Sequence, residues 1–312
     1  MDVRLIDAAS EIGAGTRGTS MGMSALRVAA WKNGSDLFGH AEESILRDEN
    51  DVLYEDDRSP NAHHIDGLIR FESDLAFEVY KFLRSNIFPM VIGGDHSIAI
   101  GSVSGTKMAY PNERLGVIWI DAHADLHSPW TTPSGNVHGM PLSLLMHIEK
   151  KGRNKPRVYT LDTWDRLRKI GMSGPKLVPS DLVFIALRDY EEEEATIIKE
   201  YGIKVITVDD LRRMGAQAVV SATLAHLTAC EKIHVSFDVD SLDPSISIGT
   251  GTPVPNGLTL DEARTLLAGF CADPKTATLD VVEINPALDS GNAMAEAVLT
   301  VLEPLFPILR NR

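Results

Sequence analysis

The sequence predicts an α/β protein with three layers, in which a mostly parallel central sheet is flanked by helices on both faces. Short apolar runs that suit buried strands alternate with segments whose apolar residues recur at helical spacing. Acidic residues and histidines follow several of these runs directly, as expected where parallel strands end at a ligand-binding edge. No composition break, tandem repeat or low-complexity linker divides the chain, so we expect one domain over residues 1–312.

The first elements are a strand at 3–6 and a helix at 23–31, separated by a glycine-rich turn at 13–22. This turn lacks the lysine and the glycine spacing of nucleotide-binding loops. Residues 39–67 show no clear period and are predicted as loop with a short helix or strand. They include the adjacent histidines His63 and His64, whose side chains should diverge and which we therefore assign to the surface.

From residue 68 onward the apolar residues recur with a clearer period. Apolar residues at helical spacing predict a helix at 68–85, and an apolar run ended by two glycines predicts a strand at 88–92. A helix at 97–108 leads to the most apolar strand, 115–120. The later elements alternate in the same way: helix 140–149, strand 182–187, helix 192–200, strand 204–208, helical region 209–230, strand 232–237, helix 260–270, strand 278–282 and helix 291–309. We expect Asp209 or Asp210 to cap the region 209–230.

Composition excludes several classes of function. Acidic residues outnumber basic ones 44 to 30, and the net charge of −14 argues against a general affinity for nucleic acid or anionic membranes.

Cys230 and Cys271 lie in separate apolar segments, as expected of buried thiols in a reducing compartment. No signal peptide and no apolar run of about 20 residues is evident, so we expect a cytoplasmic protein.

Four predicted strands end in residues that can bind metal ions. The strand at 115–120 is followed by Asp121, His123 and Asp125, and this spacing turns alternate side chains of an extended chain in one direction. The other strand ends carry His96, then Asp238 and Asp240, and then Glu283. A parallel sheet brings the carboxyl ends of its strands to one edge, so these side chains should converge.

Four aspartates and two histidines are too many ligands for a single zinc ion, which usually takes four. Oxygen-rich coordination with some imidazole suits a harder divalent ion such as manganese. Two such ions can share bridging carboxylates and a bridging water. With a hydroxide between them the site would be one unit negative, which favours a cationic substrate.

Six motifs together resemble the ureohydrolase family, and most closely its arginase members. They are GGDHS (93–97), DAHADLH (121–127), SGNVHG (134–139), SFDVDSLDP (236–244), GTGTPV (249–254) and VEINP (282–286). The resemblance implies an arginase-like fold, hydrolysis of L-arginine to urea and L-ornithine, and a homotrimer or homohexamer. It also implies two manganese(II) ions, with a hydroxide held between them that attacks the guanidinium carbon.

The same resemblance implies a role for each site residue. One ion would be bound by His96, Asp121, Asp125 and Asp238, and the other by His123, Asp121, Asp238 and Asp240. The catalytic residues would be His138 as proton shuttle, Glu283 as guanidinium-binding carboxylate, and Asp125. The substrate-binding residues would be His127, Thr132, Ser134, Asn136, Glu191, Thr252 and Glu283.

Two residues depart from the arginase pattern. His127 stands where an asparagine is usual, and Glu191 stands where an aspartate for the α-amino group is usual. The hydroxyl and amide groups of TTPSGN (131–136) suit a substrate carboxylate and favour arginine over agmatine. Agmatinase, guanidinobutyrase, guanidinopropionase and formimidoylglutamase-like activities remain alternatives. A binuclear phosphoesterase is disfavoured because its Gly-Asn-His-Glu segment is absent, and a noncatalytic homologue is disfavoured because every expected site residue is present.

Overall fold

The computed structural model describes residues 1–312 except the side chain of His40. Eight parallel strands form one sheet in the order β2-β1-β3-β8-β7-β4-β5-β6. They are β1 (Asp2–Asp7), β2 (Glu42–Ile45), β3 (Ile87–Ile92), β4 (Leu115–Ile120), β5 (Leu182–Ile185), β6 (Lys204–Ile206), β7 (Lys232–Asp238) and β8 (Thr276–Val282). The predicted three-layer α/β fold is confirmed, and every strand pair in the described chain is parallel.

Helices cover both faces of this sheet. They are α1 (Gly22–Asn33), α2 (Leu37–His40), α3 (Ile65–Arg84), α4 (Ala99–Ala109), α5 (Pro141–Met146), α6 (Val158–Leu167), α7 (Glu192–Tyr201), α8 (Val208–Met214), α9 (Ala216–His226), α10 (Leu260–Ala272), α11 (Ala293–Leu302) and α12 (Leu305–Arg310). No helix in the described chain is both long and apolar enough to cross a membrane. Cys230 and Cys271 are free and buried, as predicted.

Alternate residues of the central strands face opposite helical layers. In β4, Ile118 and Ile120 join the core built with α1 and α10, whereas Val117 and Trp119 join the core built with α4 and α5. A strand buried on both faces needs apolar residues at every position. This explains why residues 115–120 read as a continuous apolar run.

Two predicted helices are each divided in the structure. Gly215 separates α8 from α9 with φ 86° and ψ 141°, a conformation that glycine adopts without strain and that interrupts the helix. Thr207 rather than Asp209 or Asp210 caps α8, because its hydroxyl accepts the Asp210 N–H while the Asp210 carboxylate accepts the Thr207 N–H. Pro304 separates α11 from α12, since proline has no N–H for the helical ladder.

The order of the strands positions the candidate site. Strands β3, β8, β7 and β4 are neighbours, so their carboxyl ends lie side by side. The residues that end these strands or follow them within four positions include His96, Glu283, Asp238 and Asp121. The sheet therefore brings together residues that are up to 187 positions apart in the sequence.

Helices α3 and α4 pack closely against each other. A Cβ atom at Gly105 would lie 2.4 Å from the Ala76 carbonyl oxygen, so only glycine permits this approach. Glu72 is fully buried at the same contact, and its Oε2 accepts the Gly101 N–H at 2.7 Å. Burial raises the pKa of Glu72 well above its usual value, the Gly101 hydrogen bond opposes the shift, and the charges of Asp95 and Asp280 add to it.

We predict that replacing Glu72 by glutamine reduces the pH dependence of the free energy of unfolding. Because the folded state holds the Glu72 proton more tightly than the unfolded state, stability should fall as the pH rises from the unfolded pKa of about 4.3 through the folded pKa. Urea denaturation of the wild type and Glu72→Gln between pH 5 and pH 8 measures this slope. Asp74→Asn, which changes an exposed carboxylate of the same helix, should keep the wild-type slope.

Candidate metal centre and active site

All fourteen site residues expected from the sequence line one cavity of about 260 Å³ at the carboxyl edge of the sheet. They are His96, Asp121, His123, Asp125, His127, Thr132, Ser134, Asn136, His138, Glu191, Asp238, Asp240, Thr252 and Glu283. The cavity also borders Asp189, Tyr190 and Glu194, which the sequence analysis did not select. Residues from at least five separate chain segments therefore meet in one place.

Two of the acidic residues have a strained backbone. Asp125 has φ 49° and Glu283 has φ 65°, a left-handed region that residues with a side chain rarely adopt. The surrounding structure holds both: the Leu142 N–H donates to the Asp125 carbonyl, and the Glu283 N–H donates to the Gly94 carbonyl. Strain of this kind concentrates at functional sites, where the backbone must aim a side chain that regular structure would point elsewhere.

Three carboxylates surround the ring of His96. His96 Nδ1 lies 3.0 Å from Asp121 Oδ2, 3.1 Å from Asp238 Oδ2 and 3.2 Å from Asp125 Oδ2. The other ring nitrogen, Nε2, lies 2.8 Å from Ser236 Oγ, which orients the ring. Trp119 stacks on the ring at 4.0 Å between centroids. These contacts direct Nδ1 at the carboxylates, and ligand atoms of His96, Asp121 and Asp238 lie within 4.8 Å of one another.

This arrangement fits a metal ion better than a set of hydrogen bonds. His96 Nδ1 is buried and makes no hydrogen bond of acceptable geometry, although three oxygens lie within 3.2 Å of it. Adjacent ligands of an octahedral ion with bonds of about 2.1 Å lie about 3.0 Å apart. The observed separations match that spacing, so the residues present fit a divalent ion at their centre.

A second group shares one residue with the first. His123 Nδ1 lies 3.0 Å from Asp240 Oδ2 and 3.5 Å from Asp121 Oδ1. Asp121 thus turns one oxygen toward His96 and the other toward His123, as a bridging carboxylate would. Asp238 Oδ1 accepts the Asp240 N–H at 2.8 Å, which leaves Oδ2 directed at the first group. The two groups could hold two metal ions side by side.

The electrostatics of the site demand positive charge. Burial, together with the charges of Asp240 and Asp121, raises the pKa of Asp238 well above its usual value. Burial and the charge of Asp121 raise the pKa of Asp240 to about 6. Burial opposes the ionisation of Asp121 as well, but hydrogen bonds to His123 and His96 lower its pKa. Bound cations would relieve the repulsion and keep all the carboxylates ionised.

Glu283 and His138 form a pair beside the metal-binding residues. Glu283 Oε1 accepts the His96 N–H at 3.0 Å and lies 3.1 Å from His138 Nδ1. Burial alone would lower the pKa of His138, but the hydrogen bond and charge of Glu283 outweigh it and raise this pKa to about 9. The backbone N–H of His138 donates to the Gly13 carbonyl, so the glycine-rich turn predicted at 13–22 supports the loop that carries His138.

Apart from the metal-binding groups, the cavity lining presents hydroxyl and amide groups. Thr132 Oγ1 accepts the Gly135 N–H at 2.9 Å, and Ser134 Oγ accepts the Asn136 N–H at 3.1 Å. A hydroxyl that accepts a backbone N–H retains its own hydrogen for donation. Both hydroxyls can therefore donate to an acceptor in the cavity, such as a carboxylate.

The two residues that depart from the arginase pattern contact each other. His127 Nε2 lies 2.8 Å from Glu191 Oε2 and 3.6 Å from Glu194 Oε2. Glu191 and Glu194 form the capping box of α7, and Glu194 Oε1 also accepts the Leu126 N–H at 3.0 Å. Burial is the largest cause that raises the pKa of Glu194 to about 9. This histidine and the two glutamates form a third polar group in the lining of the cavity.

Sequence reasoning missed several supporting residues. Trp119 donates from Nε1 to Asp121 Oδ2 at 2.9 Å, and Ser236 contacts His96. Each lies two positions before an aspartate at the end of its strand. The alternation of side chains that selected the aspartates could therefore also have indicated Trp119 and Ser236. No local pattern in the sequence indicated Arg188. Its guanidinium donates to the carbonyls of Ala186, Asp240, Val254 and Pro255, which holds the loop containing Thr252 against the site.

Fold and site together define a ureohydrolase. The family model described as "Arginase family" matches residues 1–306, so the chain belongs to the arginase family. The arginase of Bacillus subtilis (strain 168) is 34% identical over 306 residues, covering 97% of each chain. The crystal structure of arginase from Bacillus cereus has a TM-score of 0.82 at 30% identity, covering 98% of each chain. An Entamoeba histolytica arginase in complex with L-ornithine has a TM-score of 0.84 at 28% identity, covering 98% of this chain and 97% of that one.

We predict that the number of bound ions depends on which aspartate is changed. Asp121 faces both His96 and His123, whereas Asp240 faces only His123. After incubation with manganese and dialysis, mass spectrometry of the metal content should give two ions per chain for the wild type. Asp240→Asn should retain about one ion, and Asp121→Asn should retain almost none.

Asp189→Asn serves as the matched control, because Asp189 lies 3.7 Å from His123 Nε2 but belongs to neither group. It should bind two ions. Retention of both ions by Asp121→Asn would show that this carboxylate does not join the two groups.

Proposed function

We propose that this protein hydrolyses L-arginine to urea and L-ornithine with two manganese(II) ions per chain. The observation that carries the proposal is that one cavity is lined both by two groups of side chains that could hold metal ions and by the hydroxyl and amide groups of Thr132, Ser134 and Asn136. Glu283 lines the same cavity beside His96 and His138 and offers an anion to a guanidinium group. When bound, the ions would lower the pKa of a water molecule and supply hydroxide near neutral pH.

The residues proposed to bind the ions are His96, Asp121, Asp125, Asp238, His123 and Asp240. Together they include four carboxylates, which would balance the charge of two divalent ions. Thr252 Oγ1 donates to Asp240 Oδ2 at 3.3 Å and would orient that ligand. Such contacts behind the ligands set their direction and their basicity.

Glu283 is proposed to hold the guanidinium group through paired hydrogen bonds, since a carboxylate matches the geometry of this planar cation. Its backbone strain and its hydrogen bond from the His96 N–H fix the direction of the carboxylate. His138 Nδ1 is tied to Glu283, which leaves Nε2 to exchange a proton with the substrate. A protonated His138 would give that proton to the departing amine of L-ornithine, which completes the hydrolysis.

A second set of lining residues is proposed to recognise the amino-acid end of the substrate. Thr132, Ser134 and Asn136 offer donors for the α-carboxylate, and Glu191 offers a carboxylate for the α-ammonium group. His127 lies against Glu191 and would orient it. A site built to hydrogen-bond a carboxylate discriminates against a substrate without one, because its donors are then left unpaired.

One observation favours a second candidate activity, on guanidino acids that lack an α-amino group. Glu191 Oε2 already faces His127 at 2.8 Å, so the glutamate does not depend on a substrate ammonium group for a partner. Guanidinobutyrate and guanidinopropionate retain the carboxylate that Ser134 and Asn136 would bind. Agmatine lacks this carboxylate and should be the poorest substrate.

We also propose that the chain folds as one domain over residues 1–312, acts in the cytoplasm and assembles as a homotrimer or homohexamer. A single sheet that spans β1 to β8 supports the one-domain proposal. The charge of −14 suits a partner that is a small cation rather than a nucleic acid or an anionic membrane.

We predict that the manganese-loaded protein releases urea faster from L-arginine than from guanidinobutyrate, guanidinopropionate or agmatine at equal concentration. Initial rates of urea formation test this order. If agmatine is hydrolysed faster than L-arginine, the assignment of Thr132, Ser134 and Asn136 to carboxylate binding is wrong. Cleavage of phosphate esters without urea release would contradict the proposed reaction itself.

We predict that Glu283→Gln lowers kcat/KM for L-arginine about 100-fold or more, because the guanidinium group loses its anionic partner. His138→Ala should lower kcat about 100- to 10,000-fold, as expected when a proton-transferring residue is removed. Metal content should remain at the wild-type level in both variants, which separates these roles from metal binding. Unchanged kinetics in either variant would remove that residue from the proposed mechanism.

A further inference from the structure

The Ser134–Asn136 segment is held from outside by a loop near the amino end of α3. His63, which the sequence analysis assigned to the surface, makes two contacts with this segment. Its ring Nε2 lies 2.9 Å from the Ser134 carbonyl oxygen, and its backbone N–H donates to the Gly135 carbonyl at 2.9 Å. The side chains of Ser134 and Asn136 line the cavity on the other side of the same segment.

The two loops touch too closely for either to move independently. Gly135 has φ 86°, and a Cβ atom there would lie 2.3 Å from the Pro60 carbonyl oxygen and 2.7 Å from His63 Nε2. Glycine is therefore required both by the backbone conformation and by the space available. Any shift of His63 would be transmitted directly to the segment that carries Ser134.

Asp57 fixes the orientation of His63. Its Oδ2 lies 2.5 Å from His63 Nδ1, while its Oδ1 accepts the backbone N–H groups of Ser59 and His64 at 2.9 and 3.2 Å. The carboxylate thus ties the ring to the turn of its own loop. The ring then faces an acceptor on each side, the Asp57 carboxylate and the Ser134 carbonyl. Both contacts are hydrogen bonds when both ring nitrogens donate.

We propose that His63, oriented by Asp57, is a positioning residue that sets the affinity of the site for the carboxylate end of its substrate. The inference rests on the proposed function, in which Ser134 and Asn136 bind that carboxylate. His63 does not line the cavity and acts only by holding the segment in place. The local turn also supports the segment, through the bonds from Gly135 N–H to Thr132 and from Asn136 N–H to Ser134. Removing the His63 side chain should therefore displace the donor groups of Ser134 and Asn136 without unfolding the segment that carries them.

The test compares L-arginine with agmatine, which shares the guanidinium group but has no carboxylate. In His63→Ala, KM for L-arginine should rise about five- to ten-fold, as expected for the loss of a hydrogen bond, while kcat changes less than two-fold. Agmatine, measured as a substrate or as a competitive inhibitor, should bind as it does to the wild type. His63→Gln, whose amide can still donate to the Ser134 carbonyl, should recover most of the affinity.

His64→Asn is the matched control. His64 has φ 49°, which asparagine tolerates, and only its backbone N–H contacts Asp57. This variant should keep the wild-type KM and kcat for L-arginine and the wild-type affinity for agmatine. Asp57→Asn should shift KM for L-arginine in the same direction as His63→Ala but by less, and it provides a second measurement if His63→Ala fails to fold.

The outcomes separate this inference from the proposed function. If the wild type releases urea from L-arginine but His63→Ala has wild-type constants, the inference is wrong and the function stands. If His63→Ala weakens the binding of L-arginine and agmatine equally, His63 does not act on the carboxylate end in particular, and the inference is again wrong. If the wild type does not hydrolyse L-arginine, both the proposed function and this inference fail.

Discussion

Four buried aspartates at the ends of β4 and β7 need positive charge to coexist, and this constraint organises the whole site. Carboxylates that are removed from water and placed beside one another resist ionisation, as the raised pKa values of Asp238 and Asp240 show. Protonation would relieve the repulsion but would also remove the ligands. The imidazoles of His96 and His123 lie where shared cations would complete the arrangement. We regard the paired groups as a framework for two metal ions for this reason.

The pleat of the strands supplies both the metal-binding groups and the residues that orient them. Trp119 and Asp121 share one side of the chain at the end of β4, and Ser236 and Asp238 do the same at the end of β7. In each case the earlier residue contacts the site from inside the sheet. Buried strands thus set the directions of the Asp121 and Asp238 side chains. The left-handed backbone at Asp125 and Glu283 turns these two acids toward the cavity.

Substrate recognition depends on a different kind of support. The Ser134–Asn136 segment is a loop, and its position is set by contacts with other loops, at Gly13 on one side and His63 on the other. Arg188 fastens the loop of Thr252 in a comparable way, through backbone carbonyls. The metal-binding end is therefore built on strands and the specificity end on interlocked loops, which allows the two ends to vary independently.

The resemblance of the motifs to the ureohydrolases supplied the loop residues of the cavity, such as Ser134 and Glu191. The sequence by itself determined the three-layer class, the central strands, the long helices such as α3, and the acids at the strand ends that meet in the cavity. These features are local, because periodicity and the i, i+2 spacing of acids at strand ends depend on neighbouring residues only. Tertiary structure alone decided the pairing of the polar edge strand β2, the contact between His127 and Glu191, and the role of His63. Each of these depends on a partner distant in the chain, and a residue's own neighbours carry no information about such a partner.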